Sequence, residues 1–115
     1  MKDRRTEFEE MLLSSGGFYT VDDILRLVGE GKMQSFAHGD TWVLTQVHEF
    51  PRKKVVEISY VIGDMDAVLA IQERINEFAK EIGASLIIAS GRPGWEAVKT
   101  DGWKKLSVNY VRDVQ

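Results

Sequence analysis

KVVEISYVIGDMDAVLAIQERINEFAKEIGASLIIA, residues 54–89, changes its apolar period twice, and those changes decide the fold. From Lys54 to Ile62 the residues are β-branched or aromatic at a strand's spacing, with Val56, Ile58, Tyr60 and Ile62 on one face and Val55, Glu57, Ser59 and Val61 on the other. Both faces are at least half apolar, which predicts a central strand. From Asp66 to Ile82 the period becomes helical: Val68, Ile71, Ile75, Phe78, Ala79 and Ile82 make one stripe, opposite Gln72, Glu73, Asn76, Glu77, Lys80 and Glu81. Gly83 supplies a left-handed stop. Ala84–Ala89 then reads as a fully buried strand, which a crossover helix places parallel to the first.

Past this unit the chain continues as LIIASGRPGWEAVKTDGW, residues 86–103. It predicts a glycine-bounded turn at Gly91–Gly94, a short helix over Trp95–Thr100 and a closing strand over Trp103–Val111. Ahead of the unit, Phe8, Met11 and Leu12 lie at helical spacing in Arg4–Leu13, which ends at Ser14-Ser15-Gly16-Gly17. Thr20 is placed to cap a second helix, Val21–Gly29, with Ile24, Leu25 and Val28 as its apolar stripe and Asp22 and Asp23 at its positive end. Strands over Met33–Ala37 and Trp42–Phe50 follow, joined by His38-Gly39-Asp40. Pro51-Arg52-Lys53 connects them to the central strand. The expected architecture is α+β, a mixed and mainly antiparallel sheet with helices on both faces, in one domain over residues 1–115.

Composition narrows the function classes. The chain has 115 residues, 43% of them hydrophobic and 29% charged, with a net charge of −3 and both signs mixed. That is not the basic footprint of a general nucleic-acid binder. No apolar run approaches membrane-spanning length, and MKDRRTEFEEMLLSS lacks the apolar core of a secretory signal, so a cytoplasmic address is expected. The absence of cysteine excludes disulfides, thiolate-bound zinc and thiol nucleophiles.

No Ser-His-Asp set, P-loop or dinucleotide fingerprint is present. His38 and His48 fall on a turn and a strand with no evident third ligand, and no metal is expected. Arg92 sits in a glycine-flanked turn before a helix, where a guanidinium suits a phosphate, a carboxylate or a salt bridge. Trp42, Trp95 and Trp103 suit a ligand wall, a core or a subunit contact.

The order of elements, together with FAKEIGASLIIASGRPGWEAVKTDGWKK, resembles the GNAT superfamily of N-acetyltransferases. More narrowly it looks like the small GNAT-like proteins of tailed bacteriophages, through Gly63-Asp64, Phe78-Ala79, Gly91-Arg92, Gly94-Trp95 and Gly102-Trp103, over about Thr20 to Val111. The resemblance implies a CoA pyrophosphate turn at Gly63, Asp64, Met65, Asp66 and Ala67. The family's Arg/Gln-x-x-Gly-x-Gly/Ala pattern is incomplete there: one glycine remains, the basic residue is missing, and two carboxylates stand where phosphates would approach. Like charges at about 4 Å repel by about 1 kcal/mol in water and by more in a drier site. As caps for a helix start, Asp64 and Asp66 are better suited. The position of the family's frequent tyrosine acid falls on Val98, which has no proton to donate. Glu57 stands where a general base would act on an amine, or is an ordinary salt-bridged sheet residue.

These readings imply a catalytically silent or altered GNAT-like phage protein without a cofactor, acting in binding or virion assembly. Its partners would be phage structural proteins or a second copy, with Arg92, Trp95 and Trp103 as contact anchors. Its place would be the host cytoplasm or the virion. The alternative is an active N-acetyltransferase using acetyl-CoA with Glu57 as base; a third reading is an anion-binding module at Arg92.

Overall fold

The computed structural model describes residues 3–89 and 103–115. Helix α1 (Arg4–Ser14) starts at Asp3, whose carboxylate accepts the Thr6 amide at 2.7 Å. Helix α2 (Val21–Gly29) opens on a reciprocal capping box, in which Thr20 Oγ1 accepts the Asp23 amide at 3.1 Å and the Asp23 carboxylate accepts the Thr20 amide at 2.9 Å. Strands β1 (Gln34–His38), β2 (Thr41–Glu49) and β3 (Lys54–Ile62) form an antiparallel meander. Helix α3 (Met65–Ile82) ends at Gly83, which has φ 78° and donates its N–H to the Lys80 carbonyl. It carries the chain to β4 (Leu86–Ala89), parallel to β3, giving one sheet in the order β1-β2-β3-β4.

The sheet separates two hydrophobic layers, one under each set of helices. Phe8, Met11 and Leu12 of α1 and Val21 and Ile24 of α2 pack with Met33, Leu44 and Ile62 on one face. On the other, Val68, Ile71, Ile75 and Ala79 of α3 pack with Val43, Val56 and Ile58. Each large aliphatic side chain so buried contributes about 1.5–3 kcal/mol. The α3 stripe read from the sequence is the stripe that is buried.

The simple alternation expected for the central strand is broken. Leu44 pairs with Tyr60 but Thr45 pairs with Ile58, so Ser59 is an extra residue, a β-bulge in β3. The bulge moves Tyr60 and Ile62 onto the α1/α2 face and Val61 onto the α3 face, opposite to the expected partition. Period-two reading cannot detect an inserted residue when both faces are apolar.

Two expectations at the far edge are also corrected. The strand after α3 is four residues long rather than six, and it is not fully buried: Leu86 is exposed and Ile87, Ile88 and Ala89 are intermediate. The closing strand over Trp103–Val111 is not formed, and residues 103–115 carry no regular secondary structure. Their alternation suits a strand, but a strand also needs an edge to pair with, which is a tertiary condition. The expected turn at Gly91–Gly94 and helix at Trp95–Thr100 lie outside the described residues.

Candidate functional site

The α1 and α2 helices cover only part of their face of the sheet. Beyond the bulge, two cross-strand rows continue on the same side, His48–Val55–Leu86 and Gln46–Glu57–Ile88. Val55 is buried between its two partners, whereas His48, Gln46, Glu57 and Ile88 are half-buried and Leu86 is exposed. A polar chain crosses this patch. His48 Nε2 lies 2.7 Å from Glu57 Oε1, with the two residues diagonal across the β2–β3 ladder. Ser59, the bulge residue, donates its hydroxyl to Gln46 Oε1 at 2.8 Å, and Gln46 Nε2 donates to the Tyr19 hydroxyl at 3.4 Å. Tyr19 meets Tyr60 edge to face, with centroids 6.1 Å apart.

The electrostatics follow from this packing. Burial raises the Tyr60 hydroxyl above its ordinary pKa, and neighbouring Tyr19 and Glu57 add to the shift. The half-buried Glu57 carboxylate, in hydrogen-bond contact with the His48 ring, is a group of the kind that acts as a general base on an amine, and the Tyr19 and Tyr60 rings beside it offer faces that attract a cation.

The hairpin loop between Glu49 and Lys54 sets the register that brings His48 to Glu57. The sequence reading weighs His48 only beside His38, expects no metal there, and does not pair it with Glu57, although the loop length carries that signal. His38 pairs with Thr41 at one end of β2 and His48 with Val55 near the other, about 24 Å apart at strand spacing. The two histidines do not converge. Among the described residues no group of three or more histidines and carboxylates could hold a metal ion.

The turn after β3 has a different construction from the expected one. Gly63 has φ 123° and lies so close to β2 that a Cβ on it would come within 2.8 Å of Thr41 Cα. The Asp64 amide donates to the buried Thr41 hydroxyl at 3.0 Å. Asp64 is the N-cap residue of α3, but its side chain makes no capping hydrogen bond, which corrects the expectation that it caps the helix. The Thr41 contact holds the turn instead. Met65, Asp66 and Ala67 form the first turn of α3, with Asp66 exposed.

Trp103 packs against the α3 side of the core and donates Nε1–H to Gln72 Oε1 at 3.3 Å, far from the Glu57 patch. Trp42 is on the opposite face, edge to face with Phe8. Arg92, Trp95 and Val98 lie outside the described residues.

No protein-family model matches the sequence, and no curated protein matches it. The fold does have solved counterparts. TTHA1254 from Thermus thermophilus aligns over 100% of both chains with a TM-score of 0.62 at 15% identity. A tetramutant of the BH1408 protein from Bacillus halodurans aligns over 93% of this chain and 90% of its own, with a TM-score of 0.58 at 14% identity. At these identities the likeness is one of fold: a small α+β domain with a four-stranded mixed sheet and helices.

Proposed function

We propose that this chain is a GNAT-like domain that acts by binding a partner, as an assembly component, and not by transferring acetyl groups. The observation that carries the reading is the turn after β3. Its Asp64 amide is already committed to Thr41 Oγ1, and the space beside Gly63 is filled by Thr41. Exposed Asp64 and Asp66 add negative charge at the start of α3, where a pyrophosphate would meet repulsion. These residues do not suit a CoA pyrophosphate. The β3–β4 ladder is also closed from Val55–Leu86 to Ile58–Ala89, leaving no gap there for a pantetheine arm. The resemblance to phage proteins makes the virion the first setting in which to look for a partner.

The experiment is a calorimetric titration of the full chain with acetyl-CoA. The expected result is no saturable heat, and a micromolar dissociation constant would overturn the reading. One observation favours the second reading, an amine acetyltransferase: the Glu57–His48 pair lies on a part of the sheet that no described helix covers. Acetyl-CoA-dependent turnover lost in Glu57→Gln would establish it.

A further inference from the structure

We propose that Leu106–Val111 is a strand donated to the outer edge of β4 in a second copy of this chain. The inference deepens the association reading above, on which it rests, by naming the partner and the segment that binds it.

The two edges of the sheet are treated differently. At the β1 edge, Arg74 of α3 reaches across to donate its guanidinium to the Ala37 carbonyl at 2.7 Å, so a backbone acceptor there is occupied. Its guanidinium carbon also lies over Phe36, 5.8 Å from the ring centroid. At the β4 edge no such device exists among the described residues. Leu86–Ala89 contains no charge and no proline, and among the described residues it pairs as a strand only with β3. Natural proteins blunt or cover such an apolar edge, because its free N–H and C=O groups are a template for another strand.

The chain also contains a strand pattern without a sheet. In Leu106–Val111, Leu106, Val108 and Tyr110 alternate with Ser107 and Asn109, and charged Lys104, Lys105, Arg112 and Asp113 bound the segment. Leu106, Val108, Tyr110 and Val111 are 77%, 58%, 92% and 91% exposed. Four large side chains so exposed within six residues mark a surface that is meant to be covered. Six extended residues span about 20 Å, enough for the roughly 13 Å of β4. Within one copy the segment does not reach that edge: it starts from Trp103, tied to Gln72 on α3, and runs outside the sheet. A second copy supplies what the first lacks. Because each copy has one donor strand and one acceptor edge, reciprocal exchange closes as a twofold dimer.

The test measures mass by light scattering after size exclusion, and backbone protection by hydrogen exchange, on the full chain and on Val108→Pro. Proline removes the N–H that the ladder needs, and Val108 is exposed, so the single copy still folds. A variant lacking residues 104–115 is the second probe. The expected result is a wild-type mass twice the 13.0 kDa of one chain, with protected amides over Leu106–Val111. In both variants the dissociation constant rises at least tenfold, and in Val108→Pro the protection over residues 106–111 disappears. A wild-type monomer, with or without protected tail amides, overturns the proposal. So does a dimer that Val108→Pro leaves intact, since the copies then meet elsewhere. An acetyl-CoA titration of the same samples reports separately on the association reading, so failure of one is distinguishable from failure of the other.

Discussion

Thr41 and Gly63, at the ends of neighbouring strands, are in direct contact: the threonine hydroxyl accepts the next amide, of Asp64, and its backbone leaves no room for a Cβ on the glycine. Two independent properties are required of residue 63, a positive φ and the absence of a side chain. Gly63→Ala should therefore destabilise the fold by about 2 kcal/mol or more. Thr41→Val keeps the shape but leaves a part-buried amide without its acceptor, and should cost about 1–3 kcal/mol. Urea denaturation of both variants checks this, and wild-type stability in either would show that the contact does not hold the turn.

Charge at the same turn gives a ligand prediction. If the carboxylates and the occupied amide are what keep acetyl-CoA out, Asp64→Gly and Asp66→Gly should bind it more tightly than the wild-type chain, and the Asp64/Asp66 double variant most of all. Calorimetry with acetyl-CoA reads this directly. Equal, absent binding in all four proteins would place the obstacle elsewhere, in the closed β3–β4 ladder.

Ile75 is buried in the middle of the α3 stripe. Ile75→Ala should lose about 2–5 kcal/mol, through both lost burial and the cavity that remains. Trp103 is only partly buried against the same layer, and its indole N–H has a partner in Gln72. Trp103→Ala should cost less, about 2 kcal/mol. Thermal melting that ranks Trp103→Ala as the more damaging would show that the indole, and not the helix stripe, anchors this layer.

Acid should loosen α2 first at its capping box. The Asp23 carboxyl lies below its ordinary pKa of 3.8, chiefly through the hydrogen bond from the Thr20 backbone, then through the Thr20 side chain. A folded-state pKa below the unfolded one means that the contribution is fully present above about pH 3.8, and is lost as pH falls through the lower folded value. Asp23→Asn should flatten this part of the pH–stability curve. Thr20→Ala should cost about 1 kcal/mol at neutral pH. Circular dichroism during acid titration compares the three proteins.

Local chemistry by itself determined much of this protein. The spacing of Val68, Ile71, Ile75 and Ala79 fixes which side of α3 is buried, because helical period and apolar burial are properties of the segment alone. Thr20 with Asp23, and Gly83 with its positive φ, set helix ends within a few residues of themselves. From strand, helix and strand in that order, the parallel pairing of β3 and β4 follows by the length and handedness of the crossover. Tertiary structure alone decided the rest. The Ser59 bulge arises from the pairing of two strands, and it reassigns Tyr60, Val61 and Ile62 to faces that their own alternation does not specify. Asp64 has the residue type of a helix cap, yet Thr41, distant in sequence, holds the turn by packing against Gly63. Leu106–Val111 has the pattern of a strand, but a pattern determines only which side chains share a face. Whether a strand forms depends on an edge with free hydrogen-bonding groups within reach, and one copy of the chain does not bring that edge to it.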